Sequence, residues 1–323
     1  MKTIIRLLAA TAIALSPVAA SAQADNYPSK PVQLIVPFPP GGLADIHART
    51  VADRLTAAWG QRVVVENRPG AGGSIGAQLV ATAAPDGYTL LFSNTSLAIN
   101  PSLRKDLPYD TEKAFTQVNT NAIVPNIIVV RKEVPANTLQ ELIALAKKEP
   151  GKLNFGSASN GSFPHLAMEL FLLEAGVKMT HVPYAGAAPA MAAILGGEID
   201  VLASDIPGAI AHVKSGALKA LAITSTERSP SLPDVPTGAE AGLPNYTAVG
   251  WQGIAVRAGT PAPIIEKLNA ELHNILKDPK VAELFTSRGV QVKLETPAEA
   301  DKFFHDDIAR WQRVVTAAGI KVE

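Results

Sequence analysis

The chain has 323 residues, of which 47% are hydrophobic and 18% charged, with a formal net charge of zero and no cysteine. This composition predicts a folded chain with room for two domains and argues against disorder. The neutral charge argues against a nucleic-acid partner, because neutralising phosphates requires an excess of basic residues. Without cysteine there are no disulfides, thiol nucleophiles, iron–sulfur clusters or Cys-ligated zinc.

Residues 1–22 have the pattern of a secretory signal peptide. Lys2 and Arg6 supply a basic start, an apolar run follows, and small residues precede the expected cleavage site. The apolar run is shorter than the roughly 20 residues that a membrane span needs. We therefore expect cleavage after Ala22 or Ala24 and a periplasmic location for the rest of the chain.

The first predicted elements are a buried strand, Val32–Val36, and an amphipathic helix that ends near Trp59. The loop between them contains three prolines and two glycines, so it is stiff and lets its backbone approach a ligand closely. It opens onto a helix N-terminus, whose N–H groups and positive dipole end suit a carboxylate or phosphate. We therefore predict an anion pocket at this loop, with ligand contacts from Phe38, Pro39, Gly41 and Gly42.

Two more strands, at 62–66 and 88–92, alternate with a helix at 74–83. This order predicts a βαβαβ unit with parallel strands and right-handed crossovers. The carboxyl ends of parallel strands meet at one edge of the sheet, which is where open α/β sheets bind ligands. Neutral hydroxyls follow the third strand, and we predict that three of them contact the ligand: Ser93, Thr95 and Ser96.

The α/β pattern restarts in a second lobe. Residues 101–115 are rich in proline and charge and are predicted to form an irregular surface segment. A strand at 124–130 then leads into the second lobe and a strand at 249–256 returns from it. Each lobe is predicted to hold a mainly parallel sheet flanked by helices, with the ligand site in the cleft between the lobes. Lobe 1 comprises residues 25–125 and 250–323, and lobe 2 comprises residues 126–249.

The second lobe offers polar candidates for ligand binding at its own strand ends. They follow strands predicted at 153–155, 180–182 and 199–202, and they are Ser157, Ser159, Gly161, Ser162, His165, Tyr184, Ala185, Gly186 and Asp205. The serine-rich loops of the two lobes contain no arginine or lysine. Hydrogen bonds to a charged group contribute roughly 1.5–3 kcal/mol each, so four or five neutral donors suffice to hold a monoanion.

Several polar residues near these loops have a structural interpretation. Asp45 lies in the first turn of the first helix, where a carboxylate offsets the helix dipole and caps free N–H groups. His181 is predicted to be structural, and Arg68 to form a structural ion pair. For His165 and Asp205, ligand contact and a structural role both stay open. The six histidines lack metal-ligand spacing, so neither a metal nor a cofactor is predicted.

A set of motifs covers nearly the whole chain after the signal peptide. They are Val36–Gly42 with Asp45 and Arg49, Glu66–Gly73 with Gly76, Pro85–Tyr88, Asn160-Gly161 with His165-Leu166, His181–Tyr184 with Gly186, Gly196-Gly197 with Asp200, Asp205–Pro207, and Gly259–Pro261. In these motifs and their order the chain resembles the Bug-type extracytoplasmic solute receptors, the substrate-binding subunits of tripartite tricarboxylate transporters.

The resemblance implies a two-lobe periplasmic binding protein, type II-like, that closes on a small carboxylate and delivers it to membrane permease subunits. We expect it to be a monomer. The resemblance also implies that the Phe38–Gly42 loop holds one carboxylate through backbone groups and ordered water, and that Ser157–Ser162 and Tyr184–Ala187 complete the site. Ala185 and Ala203-Ser204 depart from the usual family residues. A mono- or dicarboxylic acid therefore stays open as the ligand, aromatic acids and amino acids included.

Two other functions fit parts of the sequence. Gly72–Gly76 matches the Gly-x-Ser-x-Gly pattern of an exported serine hydrolase, with Ser74 as the nucleophile. Such a serine needs a histidine base, and both candidates, His165 and His181, fall in the other predicted lobe. A ligand-sensing receptor for a membrane kinase would have the same pocket and a different partner. We expect a binding protein and not an enzyme.

Overall fold

The computed structural model of the protein describes residues 26–287 and 289–320. The predicted signal peptide, residues 1–22, and both predicted cleavage sites lie outside these ranges. Within them, no helix has the length and apolar character needed to cross a membrane.

Ten strands of the described chain form one mixed sheet. They are β1 (Val32–Val36), β2 (Val63–Asn67), β3 (Thr89–Asn94), β4 (Phe115–Arg131), β5 (Asn154–Ser157), β6 (Thr180–Pro183), β7 (Val201–Asp205), β8 (Leu218–Ile223), β9 (Val249–Arg257) and β10 (Gln291–Val292). The order across the sheet is β2-β1-β3-β9-β4-β7-β5-β6, and both β8 and β10 pair with β4.

Helices flank this sheet in the described ranges. They are α1 (Leu43–Trp59), α2 (Ser74–Ala81), α3 (Thr95–Leu103), α4 (Thr111–Ala114), α5 (Leu139–Lys148), α6 (Phe163–Ala175), α7 (Ala187–Gly196), α8 (Ile206–Lys214), α9 (Ala262–Lys277), α10 (Pro279–Thr286) and α11 (Pro297–Ala318). The predicted α/β fold, with helices flanking the strands, is confirmed. The sequence predicts a mainly parallel sheet in each lobe, whereas the described strands form one sheet in which β4 and β9 pair antiparallel with their neighbours.

The first strands of the chain are apolar because helices cover both faces of their part of the sheet. On one face, Leu34 of β1 belongs to a buried cluster with Leu55 of α1 and Leu268 of α9. On the other face, Ile35 belongs to a second cluster with Val80 of α2. β1 pairs in parallel with both β2 and β3, which confirms the predicted βαβαβ unit. Their carboxyl ends therefore share one edge of the sheet.

The long strand β4 links the two halves of the sheet. From Phe115 to Pro125 it pairs antiparallel with β9. From Asn126, which lies opposite Asp205, it pairs with β7 and β8 instead. The crossing strand predicted at 124–130 is therefore much longer than expected, because a run of buried polar residues continues it toward the N-terminus. β5 pairs in parallel with β6 and β7, so parallel strands recur in the second half.

Two helices occupy segments for which the sequence predicts no helix. α3 begins at Thr95, where Asn94 Oδ1 accepts a hydrogen bond from the Ser96 N–H at 3.1 Å. It extends into the predicted irregular segment, 101–115, which also contains α4. α8 begins after Asp205, whose Oδ1 accepts the Gly208 N–H at 2.7 Å. Both helices thus begin at an Asn or Asp N-cap, which supplies the first helical N–H groups with an acceptor.

The C-terminal helix α11 packs across both halves of the molecule. Its Asp307 is buried and accepts hydrogen bonds from Trp251 Nε1 of β9 at 2.7 Å and from Trp311 Nε1 at 2.9 Å. Trp311 in turn packs edge-to-face on Phe163 at the start of α6, with ring centroids 5.8 Å apart. One buried cluster therefore joins α11 to both halves of the sheet.

Candidate functional site

The β1–α1 loop lies at the carboxyl edge of the first three strands. Phe38 is half-buried against the core, whereas residues 39–42 are exposed. Gly41 has φ +85°, a left-handed conformation that a side chain disfavours, while Gly42 is extended at φ −78° and ψ 172°. No side chain caps α1 at Gly42. The loop therefore presents backbone groups and a helix N-terminus to solvent, as the sequence predicts.

Asp45 fixes the shape of this loop. Its carboxylate is almost fully buried and accepts hydrogen bonds from Gly41 N at 2.9 Å, Arg49 Nε at 3.0 Å and Asn67 Nδ2 at 2.8 Å. Burial by itself would raise the pKa of Asp45, but these donors outweigh it and lower the pKa to about 2. Asp45 is therefore ionised and ties the loop to α1 and to the end of β2, which is a structural role.

The three hydroxyls predicted after β3 have different surroundings. Ser93 is buried and donates a hydrogen bond to Gln117 Oε1 at 2.8 Å. Thr95 is also buried, and its Oγ1 accepts the Trp251 N–H at 2.7 Å. Ser96 is half-buried and lines a cavity described below. The structure therefore uses Ser93 and Thr95 to join strands and helices, and brings Ser96 to the open site.

The β5–α6 loop of the second lobe is held by hydrogen bonds within itself. The Ser159 carbonyl accepts from Ser157 Oγ at 2.9 Å and from Ser162 Oγ at 2.7 Å. The Gly161 N–H donates to His165 Nδ1 at 3.0 Å. Ser157 and His165 are buried, while Ser159 is exposed and Gly161 and Ser162 are half-buried. Ser157 and His165 thus set the loop's shape, and the residues between them face the cleft.

His165 and His181 stack face to face beneath this loop, with ring centroids 3.7 Å apart. Burial, reinforced by the neighbouring His165, lowers the pKa of His181 to about 4. Ser157 gives its only hydroxyl proton to Ser159, so His181 Nε2, at 2.7 Å, must donate to Ser157 Oγ. His181 therefore has the structural role that the sequence indicates, and His165 has the backbone-bonded arrangement, one of its two predicted alternatives.

The β6–α7 loop is joined to the β5–α6 loop through the backbone. Tyr184 N donates to the Ser157 carbonyl at 3.0 Å, and Gly186 N donates to the Ala158 carbonyl at 2.8 Å. Ala185 between them is exposed. Asp205 is exposed as well, and one of its carboxylate oxygens caps α8. These residues are thus placed along the rim of the second lobe.

A cavity of about 370 Å³ lies between the two halves of the molecule. Five residues predicted to bind ligand are among its walls: Phe38, Ser96, Ser159, Gly161 and Ser162. The remaining walls come from the β2–α2 loop, from α3 and the residue after it, from the β5–α6 loop and from the start of α6: Gly72, Ile99, Asn100, Leu103, Arg104, Asn160 and Phe163. The other predicted ligand residues lie outside its walls: Pro39, Gly41, Gly42, Ser93, Thr95, Ser157, His165, Tyr184, Ala185, Gly186 and Asp205.

Arg104 is the charged residue of this wall, and the sequence predictions did not include it. Ser96, Asn100 and Arg104 recur every four residues, so they lie on one face of α3 and its C-terminal extension. A helix prediction over 95–103 would have revealed this spacing. Pro101 and the polar residues at the start of this segment instead favour a loop.

Ser74 does not have the surroundings of a hydrolase nucleophile in the described chain. It is buried, and its Oγ donates to the Ala71 carbonyl at 2.7 Å. His165 and His181 have their hydrogen bonds in the other half of the molecule, at Gly161 and Ser157. Arg68 pairs with Glu66 beside the same loop, as predicted.

The protein has the architecture of a two-lobe α/β binding protein. Its sheet has two halves joined by crossing strands, and a cavity lies between the halves. Comparison with known sequences then gives the family. The profile described as "Tripartite tricarboxylate transporter family receptor" matches residues 47–320. The chain belongs to this family, and its resemblance to the Bug-type receptors is confirmed.

Individual relatives agree with this assignment. Protein BugT of Bordetella pertussis is 40% identical over 322 residues, which cover 98% of this chain and 99% of the relative. Among solved structures, Rpa4515 of R. palustris with adipate is 33% identical, with a TM-score of 0.76, covering 92% of this chain and 100% of that one. MatC of Rhodopseudomonas palustris with bound malate is also 33% identical, with a TM-score of 0.73, covering 90% and 100%.

Proposed function

We propose that this protein is a periplasmic receptor that captures a small carboxylate between its lobes and delivers it to the membrane permease of a tripartite transporter. The observation that carries the proposal is the interlobe cavity, because its walls come from strand-end loops of both halves. The relatives solved with adipate and malate support a carboxylate as the ligand. We further propose that the protein acts as a monomer, with lobes at 25–125 plus 250–323 and at 126–249.

The binding chemistry proposed for this site uses neutral donors. The exposed β1–α1 loop offers backbone N–H groups at the start of α1, and Ser96 and Ser159 offer hydroxyls from the two sides of the cleft. Ser162 lines the cavity, but its hydroxyl donates to the Ser159 carbonyl. Phe38 supplies an apolar wall. Tyr184–Gly186 and Asp205 are proposed to reach the ligand at the rim, whereas Ser93, Thr95, Ser157 and His165 support the loops from below.

Closure follows from this arrangement. A ligand that contacts both lobes binds the closed form better than the open one and so shifts the population toward closure. The permease would then distinguish the closed, loaded receptor from the open one. No covalent step is needed. The hydrogen bond of Ser74 agrees with a binding function, because its hydroxyl donates to a backbone carbonyl.

A thermal-shift screen of mono-, di- and tricarboxylates tests the proposal. A ligand at 100 times its dissociation constant stabilises the folded state by about 2.7 kcal/mol. Unfolding entropy is about 2.1 cal/mol/K per residue, so we expect Tm to rise by roughly 4 °C. The neutral amide of each active acid should give no shift. If no carboxylate shifts Tm, the proposed function is wrong.

Paired variants show whether the cavity is the site. Ser159→Ala removes a cleft hydroxyl, and Ser215→Ala removes an exposed hydroxyl elsewhere in the same lobe. The first should reduce the shift and the second should not. Ester turnover that disappears in Ser74→Ala would instead support the hydrolase alternative.

A further inference from the structure

We propose that Arg104 selects ligands that carry a second carboxylate, by binding that group at the α3 side of the interlobe cavity. The inference rests on the proposed function, because it concerns one end of the same ligand. It goes further by naming the residue that determines specificity and the chemical group that this residue recognises.

The position of Arg104 is set by its neighbours. It follows α3, and its backbone N–H donates to the Asn100 carbonyl at 2.9 Å. Asn100 Nδ2 holds the Gly72 carbonyl at 3.0 Å. A Cβ atom built on Gly72 would lie 3.4 Å from Arg104 Nη2 and 3.6 Å from its Nε, so the guanidinium lies directly against this glycine. The guanidinium therefore lies beside the β2–α2 loop, in contact with the part of it that Gly72 forms.

Arg104 has no counter-charge in the part of the chain that the structure describes. The side chain is half-buried, and its guanidinium makes no ion pair or hydrogen bond with the residues of 26–287 and 289–320. Burial raises the pKa of nearby Tyr109 to about 12, so this phenol is neutral. Asp110 is engaged by Lys113 at 2.8 Å. A partly desolvated cation at a cavity wall favours an anionic partner from the ligand.

The rest of the wall suits a ligand with two separated charges. Apolar side chains of Phe38, Ile99, Leu103 and Phe163 share the cavity with Arg104. The serine-lined loop stands on the opposite lobe. One carboxylate at the neutral donors, a hydrocarbon spacer along the apolar wall and a second carboxylate at the guanidinium match these three regions. A guanidinium binds a carboxylate through two parallel hydrogen bonds, which makes this end selective.

A purely structural role for Arg104 is the alternative. A cation at a helix C-terminus interacts favourably with the helix dipole. That role predicts that substitution lowers the thermal stability and changes the binding affinity of every ligand by the same factor. The selective role predicts a loss that depends on whether the ligand has a second carboxylate.

Isothermal titration calorimetry on the full mature chain separates these roles. The ligands are straight-chain α,ω-dicarboxylates of four to eight carbons, each paired with the monocarboxylate of equal length. The variants are Arg104→Gln, Arg104→Lys and, as a control that removes a neighbouring exposed charge, Lys105→Gln. For the tightest pair, Arg104→Gln should weaken dicarboxylate binding by about 10- to 100-fold and monocarboxylate binding by less than about threefold.

Further variants sharpen the outcome. Arg104→Lys should retain part of the dicarboxylate preference, and Lys105→Gln should retain all of it. Arg104→Glu should reverse the preference, so that an ω-amino acid of the same length binds better than the dicarboxylate. Melting temperatures of each variant establish that it is folded.

Several results would overturn the inference. One is an equal loss of affinity for the dicarboxylate and the monocarboxylate in Arg104→Gln, and another is no loss of affinity for either. A third is a wild-type chain that binds the monocarboxylate as tightly as the dicarboxylate. If no pair binds but the thermal-shift screen finds another carboxylate, Arg104 does not select a second carboxylate and the proposed function stands. If that screen also finds no ligand, both fail together.

Discussion

Asp45 is predicted to contribute about 2 kcal/mol to stability at neutral pH. Its pKa falls from the ordinary 3.8 to about 2 in the folded state. One pKa unit corresponds to about 1.36 kcal/mol, and we round downward because the Arg49 side chain is 49% exposed and its charge is screened by solvent. Asp45→Asn keeps the size but removes the charge and turns one acceptor into a donor. We expect its Tm to fall by roughly 3 °C.

The pH dependence gives this prediction its sign. A carboxyl group whose pKa is lowered by folding contributes its full stabilisation above the unfolded value of 3.8. That contribution is lost as the pH falls through about 2, and about 1 kcal/mol of it is gone at pH 3. The stability gap between wild type and Asp45→Asn should therefore narrow from about 2 kcal/mol at pH 6 to about 1 kcal/mol at pH 3.

Urea unfolding at pH 6 and pH 3, followed by tryptophan fluorescence, measures this gap. Asp53→Asn serves as the control, since Asp53 is exposed on the same helix, and it should stay within about 0.5 kcal/mol of wild type. A gap of equal size at both pH values would refute the assignment of the stabilisation to the Asp45 charge. No gap at either pH would refute the role of its hydrogen bonds as well.

The remaining predictions concern the site loop and the core. Gly41→Ala should lower the free energy of unfolding by roughly 1–2 kcal/mol, because Gly41 has φ +85°. Gly42→Ala should lower it by less than about 0.5 kcal/mol, because the backbone of Gly42 is extended. Equal losses of stability in urea unfolding would contradict this prediction. Asp307→Asn should lower stability by about 3 kcal/mol, because the buried carboxylate accepts hydrogen bonds from Trp251 and Trp311 and forms an ion pair with Arg310. An unchanged urea midpoint would show that these bonds contribute no net stability.

The first three strands could be predicted from the sequence because each is a short run of mostly aliphatic and β-branched residues. β1 and β3 are largely buried, whereas β2 lies at the edge of the sheet and exposes Val64. β1 has the predicted bounds, and β2 and β3 differ by one or two residues. The first half of β4 could not be predicted, since Gln117, Asn119 and Asn121 are polar yet buried. Their partners come from distant segments: Gln117 accepts from Ser93, and Asn119 Oδ1 accepts the Ile254 N–H at 3.3 Å.

The loops of the candidate site follow from strand order alone, because parallel strands bring their ends to one edge. Which side chains point into the cleft depends on neighbours that are remote in sequence. Ser93 and Ser157 are typical loop serines in the sequence, yet Gln117 and His181 engage their hydroxyls. Arg104 lines the cavity at the end of α3, a helix that the sequence does not predict. The local sequence pattern therefore predicts where the site lies, whereas tertiary contacts determine which residues line it.

The position of β9 in the sheet determines the order in which the molecule can be assembled. β9 lies between β3 and β4, although it follows both at a long distance in the chain. Strands β1 to β3 come from one continuous segment, and strands β5 to β8 with the second half of β4 come from another. Pairing within each segment closes shorter loops than pairing with β9, so it should form first. Hydrogen-exchange labelling during refolding should therefore protect β1 and β5 before β9. Until Val249–Arg257 is in place, β3 and β4 each keep an unpaired edge that is open to association with other chains.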